Sequence, residues 1–169
     1  MVSILLLAAL MVADTPNVIG KVVAVKDGDS IIVLDARNTQ QDVRLVASDA
    51  PEHDQAFGTR SKQALSAKIF GKQVWIQWTE RDKHDRILGK VMLGKRWINR
   101  EMIAEGYAWH YKQYSSDPEL AKAENTGRAR KLGLWADPHA EAPWDFRHRA
   151  AAAGAAEKAK QSNPKKKAA

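Results

Sequence analysis

The chain of 169 residues contains no cysteine. That excludes a disulfide framework, a thiolate zinc site, an iron–sulfur site and a cysteine nucleophile. It says nothing about the redox compartment. No stretch reaches the ~18 consecutive apolar residues that a membrane-spanning helix needs. No internal repeat is present, and His53, His110, His139 and His148 have no metal-ligand spacing.

What remains is an ordinary globular composition, 44% hydrophobic and 28% charged, long enough to bury a core without staples. The net charge of +7 is uneven. Residues 150–169 hold five lysines (Lys158, Lys160, Lys165, Lys166, Lys167) against one acid, Glu157, and so carry +4 of it. A basic excess points to anionic partners such as nucleic acid or acidic lipid.

Residues 2–13, VSILLLAALMVA, have the apolar core of a secretory signal, with Ala13 as a cleavage position before Asp14. The expectation is export with loss of residues 1–13. A body of 14–149 follows, and a basic tail over 150–169 with no large apolar residue reads as disordered.

The body opens with strands. Val22, Val23 and Val25 precede Asp27-Gly28-Asp29, and Ile31 to Leu34 follow. Asp-Gly between β-branched runs predicts a hairpin in which glycine supplies φ > 0. Val43 to Val46, Gln73 to Trp78 and Leu88 to Leu93 predict further strands. A helix is predicted over about 58–70. Asn99 is placed as the cap of a second helix, and Asp117-Pro118 as the start of a third that stops near Gly133. Residues 134–149 read as irregular. Strands segregated from late helices indicate an α+β fold. The count fits a small five-stranded barrel with three helices.

Asp27, Asp29, Asp49 and Glu52 lie near strand ends. Oxygen side chains on turns suit a hard divalent cation such as calcium, although Asp27-Gly28-Asp29 also reads as a plain hairpin turn, since Asp and Gly are default turn residues. The loop is not an EF-hand. Arg44 interrupts an apolar strand, and Arg86 closes the charged loop Asp82-Lys83-His84-Asp85-Arg86. A guanidinium fork suits a phosphate. Carboxylates for a metal, one for a base and two arginines for an anion make the parts of a phosphodiesterase.

Taken in order, Val25-Lys26-Asp27-Gly28-Asp29-Ser30, Val43-Arg44-Leu45, Asp49-Ala50-Pro51-Glu52, Asp82 to Arg86, Asn99, Gly106, Ala123-Glu124 and Gly133-Leu134-Trp135 resemble the staphylococcal nuclease (thermonuclease) family across roughly residues 18–136. The resemblance implies an OB-type barrel with helices and calcium-dependent hydrolysis of DNA and RNA to 3′-phosphate ends. It implies Asp29, Asp49 and the Ala50 main-chain carbonyl as metal ligands, with Asp27 as a nearby acid in the second shell. It implies Glu52 as the general base, and Arg44 and Arg86 as the pair that grips the phosphate. The family usually has Tyr-Gly before the second arginine. Here His84-Asp85 stands there, so His84 becomes a nucleotide contact and Asp85 an acid able to draw Arg86 off the phosphate. Among Tyr107, Trp109, Tyr111 and Tyr114, the polar surroundings of Tyr114 favour it as a base-stacking contact. Trp75, Trp78, Trp97 and Trp135 read as structural, and Glu124 as a structural acid.

Two other readings compete. His110-x-Lys112-x4-Asp117 matches the short motif of metal-free histidine-nucleophile nucleases of the phospholipase D superfamily, which need two such motifs where this chain has one. An OB-type barrel also serves as a non-catalytic nucleic-acid-binding module, although this chain keeps its acids and arginines. A monomer is expected.

Overall fold

A computed structural model describes residues 17–162, the last three as backbone only. The expected signal segment at 1–13 and the tail residues 163–169 lie outside the described residues. In chain order the elements are β1 (Asn17–Val25), β2 (Ser30–Asp35), β3 (Gln40–Leu45), β4 (Ser48–Asp49), α1 (Gly58–Ile69), β5 (Gln73–Arg81), β6 (Ile87–Leu93), β7 (Arg96–Trp97), α2 (Ile98–Ala104), β8 (Trp109–His110), α3 (Pro118–Ala129) and α4 (Pro143–Ser162).

The period-two pattern builds the barrel. Val22, Ile31, Val33, Val43, Leu45, Val74, Ile76, Ile87 and Val91 all point into one core and are fully or almost fully buried. Antiparallel pairing runs β3-β2-β1-β5-β6, and a parallel pairing of β3 with β6 closes the five strands on themselves. Closure removes the free edges that an open sheet would present. Leu65 and Ile69 of α1, Ile98, Met102 and Ile103 of α2, and Leu120 and Ala123 of α3 seal the core. The OB-type α+β architecture expected from the sequence is what forms, with four α-helices among the described residues rather than three.

Local signals behaved unevenly. Asp117 caps α3, its Oδ1 accepting from the amides of Glu119 and Leu120, with Pro118 at the first position. Asn99 does not cap α2. It lies inside the helix, fully buried, where its Oδ1 accepts from the Val91 amide at 2.9 Å. Its Nδ2 donates to the carbonyls of Val46 and Gly89 at 2.9 and 3.0 Å. It fastens α2 to the barrel, because a buried amide is costly unless its groups are paired. Gly28 is not needed for a positive φ, which it does not adopt. A side chain there would strike Ser61 Oγ of α1 and the Ala50 methyl, so the glycine permits close approach of two segments. Trp75 is not a core residue. It faces outward from β5 with 39% of its surface exposed.

The largest departure is α4. Residues 134–149 are not irregular throughout, and 150–162 are not without structure. A single 3-10 turn spans Gly133–Ala136, and α4 runs from Pro143 through Ser162. Proline suits the first helical position, and alanine has the highest intrinsic helix propensity. The start of α4 is anchored by Trp144. Its ring meets Trp109 edge-on at 5.5 Å and stacks on Tyr111 at 5.1 Å with 4° between planes. Trp109, Leu134, Trp135 and Ala142 form a second apolar cluster there. Residues 148–159 are all exposed. Among the described residues no helix is long and apolar enough to cross a membrane.

Candidate functional site

Strand register assembles the acids and Arg44. Ser30 on β2 pairs with Arg44 on β3. Val43 and Leu45 point into the core, so Arg44 projects to the opposite face. There it meets Asp29, just before β2, and Asp49, the last residue of β4. The two acids are 2% and 1% exposed. Arg44 Nη2 lies 2.7 Å from Asp49 Oδ1 and 3.1 Å from Asp29 Oδ2, while Nη1 donates to Asp29 Oδ1 at 3.2 Å. Asp29 Oδ1 also accepts from Ser30 Oγ, and Oδ2 from the Ala50 amide, each at 2.9 Å. β4 is held by pairing with β8, where Asp49 faces Trp109.

This concentration of charge has consequences. Burial pushes the Asp29 carboxyl up, to about 7; Arg44 pulls against that, while Asp27 and Asp49 push with it. Burial works against the Arg44 charge, yet Asp29 and Asp49 outweigh it and raise its basicity. Asp27 is near enough to act on Asp29 by charge, and its Oδ1 accepts from the Asp29 amide at 2.9 Å.

The sequence reading missed Arg147. It lies in the first turns of α4, 98 residues beyond Asp49, and reaches back over the site. Its Nη2 contacts Asp49 Oδ2 at 2.8 Å and its Nη1 contacts Asp49 Oδ1 at 3.2 Å. Nη1 also donates to Glu52 Oε1 at 2.7 Å. These hydrogen bonds to Asp49 and Glu52 raise its basicity, against the cost of burial. Once residues 134–162 are read as irregular or disordered, no sequence signal singles out this arginine. A Pro-Trp helix start anchoring an arginine would have been the clue. Glu52 is more open, with 38% of its side chain exposed.

Arg86 is held by a different acid. Its Nη2 and Nε lie 2.7 and 2.8 Å from Asp82 Oδ2. Asp82 is partly buried, which alone would raise its pKa. The Arg86 side chain and the amides of Arg86 and His84 outweigh that and lower it. The acid that holds Arg86 is therefore Asp82. Asp85, expected in that role, is turned to solvent at φ 61 with its carboxylate 3.6 Å from Arg81. His84 is exposed, its amide bonded to Asp82 Oδ1.

Tyr114 is exposed, at 71%, and meets Tyr111 edge-on at 4.8 Å. Tyr111 is itself committed to Trp144, and Tyr107 stacks on Phe57. A cavity of about 190 Å³ beside β8 is lined by His110, Tyr111, Lys112, Glu124, Arg128 and Trp144, with Trp109 and Gln113. Glu124 is buried and paired to Lys112 at 2.6 Å and Arg128 at 3.4 Å. The parts of the histidine-nucleophile motif are each engaged elsewhere or buried. His110 is 2% exposed, Lys112 is bound to Glu124, and Asp117 is spent as a helix cap. A nucleophile must reach phosphorus, and a buried imidazole does not.

Among the described residues no three acid, imidazole or thiol side chains converge to hold a metal unaided. Asp29 and Asp49 nonetheless fit a hard cation. They are adjacent buried carboxylates, neutralised now by guanidinium groups, and their oxygen chemistry matches a divalent ion completed by carbonyl and water oxygens.

Comparison with known proteins yields concordant matches. The family model described as "Staphylococcal nuclease homologue" matches residues 42–137. An "Uncharacterized endonuclease" of Escherichia coli is 41% identical over 131 residues, 77% of this chain and 85% of that protein. A second "Uncharacterized endonuclease", of Haemophilus influenzae, is 41% identical over 127 residues, 75% of this chain and 71% of that protein. A "Micrococcal nuclease" of Shigella flexneri is 40% identical over 139 residues, covering 76% and 79%.

Proposed function

The chain belongs to the staphylococcal nuclease family, and from that premise we propose that it is a calcium-dependent phosphodiesterase hydrolysing DNA and RNA to 3′-phosphate ends. The observation that carries this reading is the buried Asp29–Asp49 pair bridged by one Arg44 nitrogen. Two buried carboxylates side by side need positive charge beside them, which guanidinium groups supply here and a divalent cation supplies on this reading.

On this reading Asp29, Asp49 and the Ala50 carbonyl hold the calcium ion, and Asp27 steadies the turn that presents Asp29. Bound there, the ion supplies positive charge to the phosphate and makes water more acidic. Glu52, more open than Asp29 and Asp49, takes a proton from the attacking water. The water oxygen bonds to phosphorus, and the bond to the 5′ oxygen breaks. That oxygen takes a proton from solvent water, which leaves a 5′-hydroxyl and a 3′-phosphate. Arg44 donates to the non-bridging oxygens, where charge accumulates in the transition state. Arg86 joins it on exchanging Asp82 for the substrate phosphate. His84 and the exposed Tyr114 contact the nucleotide, Tyr114 by stacking. The same reading takes the protein to be a monomer, exported by way of residues 2–13.

The test is cleavage of end-labelled single-stranded DNA and RNA with calcium or with excess chelator. Cleavage that needs calcium and leaves 3′-phosphates is expected. Undiminished cleavage in chelator would overturn the metal reading. No cleavage of either substrate, with binding retained, would mark a binding module.

A further inference from the structure

Arg147 bears on both carboxylate oxygens of Asp49. Both Asp49 oxygens accept from its fork, at 2.8 and 3.2 Å, and Oδ1 also accepts from Arg44 at 2.7 Å. Asp49 is 1% exposed, so solvent offers no second face. A carboxylate oxygen has two lone pairs, and those of Oδ1 are both engaged. We propose that Arg147 and the divalent cation compete for Asp49, which makes Arg147 the residue that sets the protein's metal affinity. The inference rests on the reading that Asp29 and Asp49 hold the cation.

The start of α4 has other moorings, so release of one side chain does not unseat it. Trp144 stacks on Tyr111. Gln55 donates to the Glu141 carbonyl at 2.8 Å. Arg147 also keeps a partner when it leaves Asp49, because Glu52 Oε1 lies 2.7 Å from its Nη1. The exchange therefore requires only a swing of the guanidinium from Asp49 toward Glu52. A binding site that is open for a fraction of the time has its affinity reduced by that fraction. Arg147 resting on Asp49 nine-tenths of the time would weaken cation binding about tenfold.

Calcium titration calorimetry on the metal-free full chain, without nucleic acid, tests this. Arg147→Gln is expected to bind calcium about tenfold more tightly than wild type. Arg149→Gln removes the same charge from the same helix without touching Asp49, and is expected to bind as wild type does. Equal or weaker binding by Arg147→Gln overturns the competition. Equal tightening by Arg149→Gln overturns it too, since the effect would then be one of overall charge. If Arg147→Gln fails to fold, Arg147→Lys carries the test. It keeps the charge but cannot span both oxygens, so tighter binding supports the proposal and unchanged binding overturns it. Binding by none of these proteins overturns the cation reading, and this inference with it.

Discussion

The side-chain amide of Gln55 donates to the main-chain carbonyl of Glu141 at 2.8 Å, across 86 residues of chain. The same amide group accepts from the Glu52 backbone at 3.1 Å. Gln55 is 7% exposed, so it ties the Glu52 loop to the segment that launches α4 in a nearly dry setting. Gln55→Ala strands two backbone groups and is expected to cost about 1–3 kcal/mol, measured by urea denaturation. On the proposed mechanism it also lowers kcat more than it raises KM, because Glu52 loses its support. A variant with wild-type stability would show that water replaces the amide.

Arg44→Ala and Arg86→Ala are each expected to lower turnover by ~10²–10³, the cost of one preorganised donor. Circular dichroism should report an intact fold for both. Arg86→Ala at near wild-type rate would mean that a different cation faces the phosphate.

Asp85→Gly should leave the rate unchanged or slightly higher. Asp85 adopts φ 61, a conformation that suits glycine, and its carboxylate lies toward Arg81 and not Arg86. Its stability should stay within about 1 kcal/mol of wild type, since relief of strain and added chain entropy oppose each other. A large loss of activity would show that the acid has a direct role.

The buried His110 gives stability a pH dependence. Burial holds its imidazole below the ordinary value; Glu124 opposes that, and Lys112 adds to it. The unfolded chain therefore takes up a proton near pH 6.5 that the folded protein resists. This contribution is fully present above that pH and is lost as the pH falls below it. Urea denaturation at pH 7.5 and 5.5 should show a smaller loss for His110→Gln than for wild type. Equal losses would assign the acid sensitivity to other groups.

A chain ending at Arg149 keeps Trp144 and Arg147 and loses only residues that are exposed as far as they are described. Its melting temperature and turnover number should match those of the full chain. Any deficit should appear as a higher KM on long nucleic acid at low salt, vanishing as salt rises, because lysine–phosphate attraction is screened. A marked fall in melting temperature would show that α4 beyond Arg149 packs on the barrel.

Much of this protein follows from its sequence alone. Alternation of apolar residues with period two determines the strands, because only that spacing turns Val43 and Leu45 inward and leaves Arg44 facing out. Asp117-Pro118 determines a helix start, because the cap satisfies amides two and three residues away. Asp29, Arg44, Asp49 and Glu52 are legible as a group because their order and spacing resemble the family's active-site segment.

Tertiary structure decided whatever depends on groups distant in sequence. The buried position of Asn99 follows from the carbonyls of Val46 and Gly89, which no helix-start rule contains. Gly28 is small because Ser61 and Ala50 press against it, not because of its own φ. Arg86 chose Asp82 over Asp85 because the loop turned Asp85 outward at positive φ. Arg147 entered the site because Trp144, stacked on Tyr111, aims the first turns of α4 at Asp49. Local signals act through hydrogen bonds and spacing within a few residues. The partner of a buried charge is set instead by which surfaces the closed barrel brings together.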